Sequence, residues 1–569
     1  MTMRILSWPA KGRRPRGVLL ATAAGGIAGL LAAFGPLSAS GATADAHGGQ
    51  RPWFLPGNLV LSGSYYTGQA DLFTPGVTEL PPGCTGSGCT AAVADGSYPY
   101  VFNNDASDPS FGVTSPVFLD QITPDGRLVN VLRVPDGNGP GGTRADHVVT
   151  SFSSKSELAL NLSTDGRDLT FMGYYATPNT VDASNANTPG AIDPTNPVTS
   201  AYYRVAAEVN QSGRISYTLT NAYSGDNGRA AILNNSGGDN VLYMAGNAGN
   251  GSNPQPDGII SGTGAQITTP QRLPETGQTP GATTPVGSFN VTQLGDPIDK
   301  IGKDTNFRGL TVYNNVVYYT KGSGSNGINT VYFIDTTGKA CPSGVGVPQP
   351  GARLPTSPID YNPALLQSEG VTPYNMCILK GFPTTLAKSA SEDAFPFGLF
   401  FANADTVYVA DEGNGTATYD PATGSYAAAA AQTTAGLQKW VFNGTQWSLA
   451  YTLSTGLNLG QPYSVAGYPT GDNAATGLPW APATDGLRNI TGRVNPNGTV
   501  TIWAVTSTVS GSGDQGADPN KLVAITDKLS AAALPAGEQF ATVRSAGYGE
   551  VLRGVSFTPG SSTGHSLGS

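Results

Sequence analysis

Short apolar runs alternate with polar, turn-rich segments along the chain from Asn58 onward, and the runs are rich in Val, Ile, Leu, Tyr and Thr and too short to be buried helices. They predict β-strands. One form recurs six times: a polar turn, an apolar strand ending in small residues, then a Gly/Asn/Ser-rich loop, beginning at Asn58, Asp168, Asn240, Asn315, Asp405 and Gly498. Five copies have a partner strand immediately upstream across a hairpin turn, at 158–162, 230–233, 309–313, 398–401 and 489–494. The first copy has none. Its counterpart is found at the far end, where Arg553-Gly554-Val555-Ser556-Phe557 has the same Arg-then-small opening as Arg229-Ala230 and Arg308-Gly309. A C-terminal strand completing the first sheet closes a ring of blades and removes unpaired strand edges.

Outer strands follow most copies, for example 117–122 and 127–134 around Pro124-Asp125-Gly126, and 438–442 and 447–453 around Asn443-Gly444. The expected fold is therefore all-β, a β-propeller of six four-stranded blades closed by a C-terminal strand. The long segments 67–115 and 176–198 are inserted loops, and a seventh or eighth blade would require an irregular blade within such a loop. Residues 45–559 are expected to form one propeller domain, with an export signal at 1–44 and a small polar tail at 560–569.

The fifth copy contains Pro396-Phe397-Gly398 leading into its first strand and Ala410-Asp411-Glu412-Gly413-Asn414 after its second. This stretch, 395–415, resembles the repeat of NHL-type propellers and of the gluconolactonase- and strictosidine-synthase-like six-bladed propellers. The resemblance covers one blade directly and reaches the others through internal similarity. It implies the propeller fold. In the calcium-dependent lactonases and esterases among these families, Glu, Asn and Asp side chains hold the metal in the channel, and no such ligand set carries over residue by residue to this chain.

Composition narrows the class further. The 76 Gly and 43 Pro, with only 12% charged residues, exclude a coiled coil or helical bundle, while 39% hydrophobic residues suffice for a large core. Arg4, Lys11, Arg13, Arg14 and Arg16 precede an uncharged apolar run at 17–34 and an Ala42-Thr43-Ala44 cleavage site, the pattern of an export signal, so a secreted, extracellular product is expected. Its removal takes the formal charge from −9 to −14, which disfavours nucleic acid and anionic lipid as partners. No later apolar stretch is long enough to span a bilayer. Cys84 and Cys89 are spaced to close a small disulfide ring, leaving Cys341 and Cys377 to pair.

The chemistry is expected on one face. In an antiparallel pair, the start of the first inner strand and the end of the second lie together. That face collects Glu157, Asp226, Asp304, Asp393, Asp485 and Glu550 near the first strands, joined by Lys155, Arg229, Arg308, Arg488 and Arg553. Asn247, Asn250, Lys321, Asn326, Asp411, Glu412, Asn414 and Asp514 follow the second strands. Two functions compete. One is a non-catalytic propeller that binds a small molecule, glycan or surface protein at this polar mouth. The other is a Ca2+-dependent lactonase, esterase or phosphoesterase, with Asp226, Asp304, Asp485 and Glu550 as candidate metal ligands. Carboxylates converging without arginine would favour the hydrolase, and carboxylates locked to arginine the binder. His47, His147 and His565 are the only histidines, and no G-x-S-x-G elbow is present, which leaves little basis for a Ser-His-Asp triad.

Overall fold

The structure, a computed structural model, describes residues 52–562 apart from 69–72, 109–110, 137–146, 193, 195, 248–263, 272–305, 323–326, 341–343, 357–375 and 390–393. The expected export signal, Asn250, Asp304, Asn326, Cys341, Asp393 and residues 563–569 lie outside the described residues. What is described is all-β in a propeller-like arrangement, with helix confined to the four residues Ala427–Ala430 and three 3-10 turns. None of the described helices is long and apolar enough to cross a membrane.

The first sheet has the C-terminal closure that the repeat predicts. Strand Leu59–Tyr65 lies between Thr114–Ile122 and two C-terminal strands, Glu550–Leu552 and Ser556–Phe557, all antiparallel, with Tyr65 opposite Glu550 and Leu59 opposite Phe557. Leu128–Arg133 adds the outer strand. Val149–Ser151 links this group to the meander Asn161–Leu162, Asp168–Tyr174, Arg204–Asn210 and Ile215–Thr220, making one ten-stranded sheet. A three-stranded sheet starts at Gly228–Asn234, and four-stranded sheets start at Pro396–Asn403 and Ala483–Val494. Four strands per sheet does not hold everywhere: the sheet beginning with Phe307–Tyr313 has five, because Val345–Gly346 pairs in parallel with the strand Met376–Leu379.

The strands that begin these sheets pack side by side. Asn161–Leu162, Gly228–Asn234, Phe307–Tyr313, Pro396–Asn403, Ala483–Val494 and Ser556–Phe557 touch in that order, and the last touches the first. The strands next to them are apolar on both faces, since each sheet is sandwiched between two others. In Thr406–Asp411 all six residues are buried. Val407 and Val409 enter one core, with Tyr318 and Phe333, while Tyr408 and Ala410 enter another, with Leu437 and Ile502. Full burial of a Val or Leu side chain contributes about 1.5–3 kcal/mol, so alternation along one strand ties two sheet interfaces together.

The inner strands are not regular. Their pairing slips between Gly228 and Ala230, between Phe307 and Leu310, between Pro396 and Leu399, and twice between Thr484 and Ile490. Arg229, Arg308 and Arg488 occupy such slips. An irregularity of this kind re-aims the side chain it carries, which gives the Arg-then-small motif its structural meaning. The small residue is required as well: a Cβ at Gly309 would collide with the carbonyl oxygen of Phe397, and one at Gly398 would lie 2.8 Å from that of Arg488.

Candidate ligand-binding mouth

Four arginines reach the polar face, Arg229, Arg308 and Arg488 from three inner strands and Arg553 from the link between the two C-terminal strands, and all four are buried. Arg488 Nε donates to Glu412 Oε2 at 3.2 Å, and Arg308 Nη2 stands 3.9 Å from Glu412 Oε1. Arg308 also donates to Ser156 Oγ and lies over the Phe397 ring, 5.6 Å from its centroid. Arg229 donates to Asn227 Oδ1 at 2.9 Å, to the Phe307 carbonyl at 2.8 Å and to Asn306 Oδ1. Arg553 Nη2 donates to the carbonyls of Ser154 at 2.6 Å and Gly516 at 2.9 Å, tying the C-terminal segment to two loops, while its buried Nη1 has no hydrogen-bond partner among the described residues. Burial, reinforced by a neighbouring arginine in each case, brings Arg229 and Arg553 down to about 9. Both remain charged at neutral pH.

The carboxylates are held in a different way. Asp411 accepts from the backbone N–H groups of Phe395 at 2.9 Å and Gly413 at 3.0 Å and from Gln438 Nε2 at 3.2 Å, and burial raises it to about 7. Asp485 accepts from Gly415 N at 2.8 Å and Gln432 Nε2 at 2.7 Å, and burial raises it to about 6. Glu157 accepts from Thr150 Oγ1 at 2.6 Å, Ser151 N at 3.0 Å and the Tyr174 hydroxyl, with burial pushing it up. Asp514 accepts from Gly516 N at 2.8 Å. Glu550 accepts from the Tyr65 hydroxyl at 2.7 Å, Gly547 N at 2.9 Å and Arg544 Nη2 at 3.3 Å. Glu412 behaves oppositely: burial would raise it, but Arg308, Arg488 and Lys155 together hold it below the usual glutamate value.

Lys155, Arg308, Glu412, Asp485, Arg488 and Gln515 come together around a pocket of about 160 Å3. Lys155 Nζ donates to Gln515 Oε1 at 3.2 Å. Asn414 lines it as well, and the other expected residues among those described do not. Asp226 is half-buried and receives Arg204 Nε on its backbone carbonyl at 2.9 Å, Lys321 donates to Asn329 Oδ1 at 3.1 Å, and His147 Nδ1 lies 3.2 Å from the Asp136 carbonyl. Cys84 and Cys89 form a disulfide with S–S 2.04 Å, and Cys377 is also disulfide-bonded.

A Ca2+ site takes six to eight oxygen ligands. Among the described residues no three His, Cys, Asp or Glu side chains gather as a metal centre would need. Of the four candidate ligands, Asp485 and Glu550 are engaged by separate partners, Asp226 does not join them in such a group, and Asp304 lies outside the described residues. Ser156, Asn306, Gln432 and Gln515 were not foreseen. They are neutral residues in loops, and only the three-dimensional path of those loops brings them to the charged groups. The chain matches no protein-family model, and no curated protein matches it. The resemblance carried by residues 395–415 is thus supported at the level of a propeller-like arrangement and not by any family match.

Proposed function

We propose that this protein is a secreted, six-bladed propeller that binds an acidic small molecule or acidic sugar residue at the polar mouth without chemically transforming it. The blade count follows if the ten-stranded sheet is divided at Val149–Ser151 into two blades, which join the four further sheets that supply inner strands. Secretion rests on the basic-then-apolar leader together with the Cys84–Cys89 disulfide, a bond favoured outside the reducing cytosol.

One observation carries the ligand class. Lys155, Arg308 and Arg488 line a single small pocket against two carboxylates, Asp485 and Glu412, the second of which all three cations lower. Three cations thus face two carboxylates, so positive charge is in excess there, and two of the cations are guanidinium groups with forked N–H donors. Planar donors of this kind match carboxylate and phosphate oxygens. A volume of about 160 Å3 suits an acid group or part of one sugar ring, below the usual range of roughly 300–1,000 Å3 for drug-sized ligands. Binding is favoured over calcium-dependent hydrolysis because the described carboxylates of this face are engaged by N–H, O–H or guanidinium groups, leaving no bare pair to hold a metal or activate water.

Calorimetric titration with glucuronate at fixed ionic strength tests the proposal. Saturable binding is expected for the wild type, at least tenfold weaker in Arg488→Gln and unchanged in Arg127→Gln, whose exposed side chain pairs with Asp125 and does not line the pocket. Equal binding by all three proteins, or none by the wild type, would overturn it.

A further inference from the structure

We propose a second binding site, for a neutral amphipathic small molecule, in a cavity formed where the inner strands turn into their hairpins. This is the opposite end of those strands from Arg229, Arg308, Arg488 and Arg553. The cavity measures about 460 Å3, within the range of sites that enclose a drug-sized ligand. Its residues come from each of the inner strands that touch in sequence, so it lies where those strands meet.

The lining sets the ligand chemistry. Leu160, Ile232 and Leu399 are buried apolar walls, and Val312 and Ile490 are half-exposed beside them. Among these apolar groups stand the hydroxyls of Thr311, Thr491 and Ser556, for which no hydrogen bond is formed among the described residues. Free hydroxyls beside aliphatic walls, in a lining that also holds Asn161, Ser163 and Thr164, suit a molecule with an apolar body and a few hydroxyl or carbonyl groups, because polar groups in such a place favour a partner. Asp165 is the one ionisable side chain with a carboxylate or basic group in the lining, and its carboxylate already accepts from Ser163 Oγ at 2.8 Å and Arg167 N at 2.9 Å. Charge recognition therefore belongs to the polar mouth and not to this cavity. The two sites differ in ligand, residues and location, so either can fail alone.

Nile red, a neutral amphipathic dye, is a suitable probe. Saturable one-to-one binding with a blue-shifted emission is expected for the purified protein, unaffected by glucuronate and by Arg488→Gln. Thr491→Trp, which fills the cavity, and Ile490→Arg, which places a charge in it, should each weaken binding at least tenfold. Circular dichroism identifies any variant that fails to fold, and Ser561→Trp at the rim then replaces it. The inference is overturned if the wild type shows no saturable binding, or if folded cavity variants bind as the wild type does. It is equally overturned if binding emerges only after deletion of residues 563–569, which would make the tail the occupant.

Discussion

Two adjacent buried carboxylic acids, Asp411 and Glu412, shift in opposite directions because they meet different partners. Asp411 meets N–H groups that carry no net charge, so burial dominates and raises it to about 7. Glu412 meets Arg308, Arg488 and Lys155, which outweigh burial and lower it. A group raised on folding stabilises the fold fully below its unfolded value, and that contribution is lost as pH rises through the folded value. A group lowered on folding stabilises above its unfolded value and loses the contribution as pH falls. Urea midpoints should therefore decline between about pH 5 and pH 8, in step with the value of about 7 for Asp411, and Asp411→Asn should flatten that decline. A midpoint that rises across this interval would contradict the assignment. Glu412→Ala should lower stability by about 3–5 kcal/mol, the usual cost of leaving buried charges uncompensated, measurable by urea unfolding at pH 7. The charged residues of the mouth were legible in the sequence because a chain only 12% charged makes each charge conspicuous. Their partners were not, since whether Asp485 meets an arginine or the N–H of Gly415 depends on loop paths that no local pattern encodes.

Among the elements, the inner strands connect sequence to site most directly. The Arg-then-small motif was visible as a repeat, and its physical basis is an irregular strand that aims the arginine while a neighbouring backbone passes too close for a Cβ. Gly309→Ala should accordingly cost about 1–3 kcal/mol, as overpacking generally does, with Gly338→Ala, where added atoms meet open space but φ is +66°, serving only as a comparison for backbone strain. Equal stability of Gly309→Ala and wild type would show that the close approach is absent in solution. Strand number was less legible. Hairpin pairs announce themselves through local turns, whereas Val345–Gly346 joins Met376–Leu379 in parallel across a long insertion, a pairing with no turn to mark it.

At the scale of the molecule, closure by the C-terminal strands joins residues some 490 positions apart and hides the edge of Leu59–Tyr65. Deleting residues from 550 onward should expose that edge and convert the protein to aggregates on size-exclusion chromatography, whereas a monomer with unchanged melting temperature would refute closure as the source of integrity. For the proposed function closure matters because it brings Arg308 and Arg488, from separate strands, and Lys155, from a loop, to one mouth. Diffraction from crystals soaked in bromide, read at the bromine absorption edge, tests that claim most directly. An anomalous peak in contact with Lys155, Arg308 and Arg488 is the result the account requires, and the absence of a peak there while exposed cations such as Arg127 are occupied would contradict it.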